Sequence, residues 1–159
     1  MRATDRPLTE GERQLARTIF GEHVDYDAAT MRRRPFAMLQ PVGVFMAPMG
    51  HIHVHPKSSK WRDDYSLADP ALQALFLHEL THVWQAQKMG RFYLLLMRHP
   101  FCRYHYAIHA GRKLERYGLE QQATIVEHLH LLRSGYGFSG APPREQLETI
   151  LRFSALGRP

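Results

Sequence analysis

Asp69-Pro70-Ala71-Leu72-Gln73-Ala74-Leu75-Phe76-Leu77-His78-Glu79-Leu80-Thr81-His82-Val83-Trp84-Gln85-Ala86-Gln87-Lys88-Met89-Gly90 reads as one long helix. Asp69 suits the N-cap and Pro70 the first helical position. Gly90 fits the residue after the last turn, with Lys88 facing the negative end of the helix dipole. At the centre stands His78-Glu79-Leu80-Thr81-His82. Residues i and i+4 lie one turn apart on one face, so His78 and His82 project together, as two ligands of one metal ion must. Glu79 lies beside them, within reach of a water on the ion's open side. It is also the only Asp, Glu, Lys or Arg between Pro70 and Gln87. A lone carboxylate in an apolar helix is costly to bury unless a metal or a partner satisfies it. The alternative is a core helix with two hydrogen-bonded histidines and a satisfied glutamate.

The chain has 159 residues, enough for one domain with a sizeable core, and its charged and apolar fractions are those of a globular protein. The one cysteine, Cys102, excludes an internal disulfide and a thiolate-rich zinc site; an inert thiol is expected there. The N-terminal residues are polar, with no secretory core, and no apolar run reaches the length of a membrane span. These features predict a cytoplasmic protein with no membrane partner, unless a signal-independent export system carries it. The formal charge is +6, and Arg32-Arg33-Arg34 is the only dense basic run. No nucleic-acid motif accompanies it, so a solvated basic face is expected rather than a nucleic-acid partner.

Ahead of the central helix, residues 8–21 read as an amphipathic helix, with Thr9 and Glu12 as a capping box and Leu8 as the staple residue. Asp25-Tyr26-Asp27 reads as a turn, and residues 28–34 as a short strand. Residues 42–47 and 51–55 read as a β-hairpin with Gly50 in the turn. In its second strand His51, His53 and His55 share one face and Ile52 and Val54 the other. That strand edge is expected to line a cleft, since extended peptides bind by adding a strand to a sheet edge. Residues 57–66 read as a polar loop. Residues 91–97 are apolar and fit a helix or a strand. Residues 117–132 form a second strong helix, expected to pack on the first with the small Ala123 allowing close approach. A Gly- and Pro-rich linker follows, then a last helix from Pro143 through Arg152, and frayed residues from 154 onward.

A catalytic zinc site takes three protein ligands and leaves one position open. Glu115, Glu120, Glu127, His128 and His130 are the downstream candidates. Glu120 opens the second helix one turn before Ala123 and fits best. Glu127, two turns on along a similar face, is the alternative, as a ligand or as a residue supporting one.

His78-Glu79-Leu80-Thr81-His82 followed by Glu120 resembles the gluzincin arrangement of zinc metallopeptidases. More narrowly, four stretches resemble small bacterial proteins labelled Vgr-related: Leu8-Thr9-x-Gly11-Glu12; Leu77-His78-Glu79-Leu80-Thr81-His82-Val83-Trp84-Gln85; Arg98-His99-Pro100-Phe101-Cys102-Arg103-Tyr104; and Tyr117-Gly118-Leu119-Glu120-Gln121-Gln122-Ala123. The gluzincin resemblance implies an α+β fold: a compact zincin-like domain, with a small antiparallel sheet or hairpin packed on the active-site helix and a second ligand-bearing helix. Residues 1–134 would form that domain and residues 135–159 the linker and C-terminal tail. Thr124 departs from the pattern, because better-known members often carry an acidic residue there, one turn after the ligand Glu. That leaves the partners of His78 and His82 unassigned.

The resulting expectation is a metallopeptidase holding one Zn²⁺ per chain on His78, His82 and Glu120. Glu79 is the general base, and the substrate is a peptide or protein. Tyr104, His105, Tyr106 and Tyr117 are candidates for transition-state or substrate contacts. Two rivals stand beside it. One is a non-catalytic zinc-binding interaction domain tied to a secretion or toxin system, a partner the Vgr-related label implies. The other is a basic adaptor acting through Arg32 to Arg34.

Overall fold

The computed structural model describes residues 5–97 and 104–152. Cys102, most of the stretch from Arg98 to Tyr104 and the tail from residue 154 expected to fray lie outside the described residues. The first strand, β1 (Asp5–Pro7), leads into α1 (Glu10–Phe20). Thr9 Oγ1 accepts the Glu12 amide at 3.0 Å, and Glu12 accepts the Thr9 amide at 2.9 Å, so the expected capping box is present. Glu12 does more than cap. It is fully buried, accepts both terminal nitrogens of Arg6 at 2.7 and 2.8 Å, and accepts the Tyr65 amide at 2.9 Å. One carboxylate thereby ties β1, α1 and the 3₁₀ turn Tyr65–Leu67 together. Gly11 faces Ser66 of that turn with no room for a Cβ, which gives the Thr9-x-Gly11-Glu12 pattern a packing reason.

The sheet differs from the expected antiparallel hairpin. Its order is β1-β2-β3, with β2 at Thr30–Arg32 and β3 at Ile52–His53. β1 and β2 are antiparallel, but β2 and β3 are parallel, with Met31 opposite Ile52. The hairpin shrinks to one antiparallel bridge between Met46 and His53, although Gly50 does sit in the turn at φ +84°. The physical reason is the run of Pro35, Pro41, Gly43 and Pro48, which interrupts ladder pairing. The histidine face is only partly open. His53 is buried with Ile52 and Val54, edge-on to Phe36 at 5.4 Å.

Asp69 caps α2 (Pro70–Met89) through the Ala71 and Leu72 amides at 3.0 and 3.1 Å. From Phe76 to Ala86 every residue of α2 is buried, the mark of a helix enclosed on all sides. The supposed polar loop before it supplies Tyr65, fully buried and stacked on Phe76 with centroids 5.5 Å apart. α3 (Tyr93–Met97) follows, and α4 (Leu119–Arg133) packs along α2 with Ala123 fully buried. α5 (Arg144–Arg152) packs on α4 and places Leu147, Ile150 and Leu151 in the same core. An α+β arrangement of helices around a small three-stranded sheet results. The basic run is engaged rather than free. Arg34 forks onto Asp5 at 3.0 and 3.1 Å, Arg32 lies 3.8 Å from Asp5, and Arg33 covers Trp61 at 5.5 Å.

Candidate metal centre

Helical spacing brings His78 and His82 to one face of α2, with ring centroids 5.3 Å apart. α4 crosses that face and delivers Glu120 from its first turn. Glu120 Oε2 lies 3.5 Å from His78 Nε2 and 3.3 Å from His82 Nε2. One ligand atom from each of the three residues falls within 4.8 Å of the others, and all three residues are buried. This triad can hold a metal ion. Two nitrogens and one carboxylate oxygen are the donor set that zinc takes in open, three-ligand sites. His82 Nε2 is buried with no hydrogen-bond partner among the described residues, an orphan that a metal would satisfy.

The other ring nitrogens answer the question left by Thr124. His78 Nδ1 meets Glu127 Oε2 at 2.8 Å, and His82 Nδ1 meets Gln85 Oε1 at 2.9 Å. Each contact makes Nδ1 the protonated nitrogen and turns Nε2 toward the site as the ligand lone pair. Gln85 is itself fixed, donating to the Leu119 carbonyl and to Gln122 Oε1, both at 3.0 Å. Glu127 therefore sits behind His78, whereas Glu120 occupies the ligand position. Thr124 donates to the Glu120 carbonyl at 2.9 Å. Gln85 was the residue the motif alone did not expose, although its i+3 spacing from His82 put it on the right face. Burial pushes the His78 imidazole down, but hydrogen bonds to Glu120 and Glu127 outweigh it and raise its pKa to about 9.

Glu79 is buried, and its Oε2 has no hydrogen-bond partner among the described residues. The aromatic candidates separate. Tyr106 is half-buried, and its hydroxyl lies 2.8 Å from His128 Nδ1. Burial pushes Tyr106 well up and His128 down, so this hydrogen bond joins a neutral phenol and a neutral imidazole. Tyr117 is buried edge-on to Tyr106 at 6.4 Å, and its hydroxyl accepts the His109 amide at 3.3 Å. Tyr104 and His105 are exposed. Tyr104, His105, Tyr106, Thr124, His128 and Phe138 line a groove of about 720 Å³. Thr124 follows Glu120 by one turn and His128 follows by another, so the groove runs along the edge of α4 that adjoins the triad.

No known family model matches the chain. Over 146 residues it is 35% identical to the type VI secretion system spike protein VgrG2b of Pseudomonas aeruginosa, covering 87% of this chain and 14% of that protein. The chain thus spans a small part of that relative's length. The solved effector domain of Pseudomonas aeruginosa VgrG2b matches at a TM-score of 0.71 with 30% identity, covering 91% of this chain and 80% of that one. The resemblance to Vgr-related bacterial proteins is borne out, and this chain belongs to the family of the VgrG2b effector domain.

Proposed function

We propose that this chain is an effector module linked to type VI secretion and that it works as a zinc-dependent peptidase of zincin-like build. His78, His82 and Glu120 hold the ion and Glu79 is the general base. The names of its relatives, a secretion spike protein and its effector domain, support the secretion partner. One observation carries the chemistry: three buried ligand atoms converge beside a buried carboxylate, Glu79, that has an oxygen to spare. A purely structural site has no use for that oxygen.

When bound, zinc supplies Lewis acidity, lowering the pKa of water and polarising a carbonyl. Glu79 takes the water's proton and passes it to the leaving amine. Glu127 and Gln85 keep both imidazoles in the ligand tautomer. Tyr106 and His128 Nδ1 lie 2.8 Å apart; in this reading the hydroxyl donates to Nδ1, and the His128 Nε2–H is the donor offered to charge developing on the carbonyl oxygen.

A second reading draws on the depth of the site. His82 and Glu120 are each 1% exposed, and so enclosed a metal can serve as a fixed centre of a secretion-linked binding module. Metal content and cleavage of a mixed peptide library separate the two. The peptidase reading expects about one zinc per chain in the wild type and in Glu79→Gln, less in His82→Ala, and cleavage by the wild type alone. Stoichiometric zinc without cleavage selects the binding module. Wild type that binds no zinc sinks both.

A further inference from the structure

A small pocket lies at the far end of α2 from its N-cap, outside the metal centre. It encloses about 170 Å³ between the Met49-Gly50-His51 turn, Ala28, Ala86 and Arg91. That volume suits one side chain rather than a whole ligand. Ala28, Met49 and Ala86 give it an apolar floor, and His51, Gln87 and Arg91 give it polar groups.

Gln87 also lines the pocket, and its amide is engaged with the Asp25 backbone, accepting from the amide and donating to the carbonyl, both at 2.9 Å, which leaves Arg91 as the charged group there. Arg32 Nε donates to Thr30 Oγ1 at 3.2 Å, and Thr30 Oγ1 lies 3.0 Å from His51 Nδ1. His51 is held neutral, pushed down to about 4 by burial and by the charges of Arg32, Arg91 and Arg34, with Asp5 opposing them. Asp5 is itself forked by Arg34. Positive charge is therefore left in excess around the pocket, with Arg91 at its edge.

The pocket is also close to the reaction site. Ala86 follows His82 by four residues, about 6 Å along the axis. At about 100° per residue it falls on the same side of α2 as Glu79.

We propose that this pocket is a subsite for a substrate carboxylate, with the apolar floor taking the aliphatic stem and Arg91, beside His51, taking the charge. The assignment rests on the peptidase reading for its role and gives that reading a substrate class: peptides bearing an acidic side chain or a free C-terminal carboxylate near the cleaved bond.

The test uses zinc-loaded Glu79→Gln protein, which the peptidase reading makes unable to turn over, and fluorescent hexapeptides in matched pairs. One series exchanges Glu for Gln at each position with an amidated C terminus. The other is neutral and carries a free or an amidated C terminus. The carboxylate member of a pair should bind about fivefold tighter than its twin, the size of one partly exposed charge contact. Arg91→Ala in the same background should erase that preference and leave binding of the neutral twin unchanged; Arg91 is exposed, so the fold should tolerate the change. The series that shows the preference identifies which carboxylate is taken. Equal binding of the twins, no binding of any peptide, or a preference that survives Arg91→Ala overturns the subsite. Cleavage is measured separately with Glu79 intact. Carboxylate-dependent binding without cleavage overturns the peptidase and keeps the pocket; cleavage without the preference does the reverse.

Discussion

Glu127 meets His78 Nδ1 at 2.8 Å across 49 residues of sequence, and Glu120, two turns earlier on the same helix, approaches the opposite nitrogen of that ring at 3.5 Å. One helix thus supplies a metal ligand and the group that aims another ligand. Removing Glu127 should leave the triad's composition intact and loosen its geometry. Glu127→Ala should weaken zinc binding about 10- to 100-fold. Glu127→Gln, which keeps an acceptor for Nδ1–H, should lose less. Competition with a chelator of known affinity checks both. Equal affinity for wild type and Glu127→Ala would show that His78 needs no such support.

The same pair makes zinc uptake pH-dependent. With its pKa raised to about 9, His78 carries a proton in the metal-free protein at neutral pH. Zinc must displace that proton, so apparent affinity should rise about tenfold per pH unit between roughly pH 7 and 8.5, after correction for the chelator. The stability of the metal-free protein runs the other way. The folded pKa lies above the unfolded value near 6.5, so the stabilisation is complete below about pH 6.5 and is lost as pH rises through about 9. Thermal melts of metal-free protein should show Tm falling between pH 7 and 9.5, and saturating zinc should remove the decline. A flat affinity profile would place the proton elsewhere.

Tyr106 and His128 are joined by a 2.8 Å hydrogen bond beside the groove. Tyr106→Phe frees the imidazole to change tautomer and removes the fixed direction of its Nε2–H. On a cleaved peptide kcat should fall about 10- to 100-fold with KM nearly unchanged, the pattern of a donor used only in the transition state. His128→Phe should fall at least as far. A change confined to KM would assign the pair to substrate binding instead.

Much of this was legible in local chemistry. Asp69, Pro70 and Gly90 mark the limits of α2, Thr9 and Glu12 mark the start of α1, and the i, i+4 histidines mark the site. Each signal depends on neighbours within about one helical turn. The sheet was not legible in the same way. Strands of two or three residues carry too little alternation to show register, and the parallel partner of β3 lies 21 residues earlier, at Met31. The tie from Glu12 to Tyr65 and the Gln85–Gln122 link are long-range polar contacts, and the Glu12–Arg6 pair spans six residues across the β1–α1 junction. Their residue types mostly sit at surfaces, so nothing in their spacing marks them as buried.

Glu12 is the place where the fold should be most sensitive to a polar change remote from the triad. Its carboxylate is fully buried and accepts from Arg6, Thr9 and Tyr65 together. Burying the charge is costly, and the four short contacts offset that cost. Glu12→Ala removes the acceptor, leaving the Tyr65 amide without its partner and the Arg6 guanidinium without its counter-charge, held only by the Pro7 and Arg62 carbonyls. The expected loss is about 3–5 kcal/mol, read from urea unfolding of the metal-free protein. Glu12→Gln keeps the shape and one acceptor oxygen, so it should lose less. Arg6→Met should fall between them, because it removes the counter-charge while the two amides still bond the carboxylate. Since α1 and the 3₁₀ turn lead into α2 rather than lining the triad, zinc stoichiometry should stay near one per chain in whatever fraction remains folded. A Glu12→Ala protein as stable as the wild type would mean that the carboxylate merely fills the space between β1 and α1.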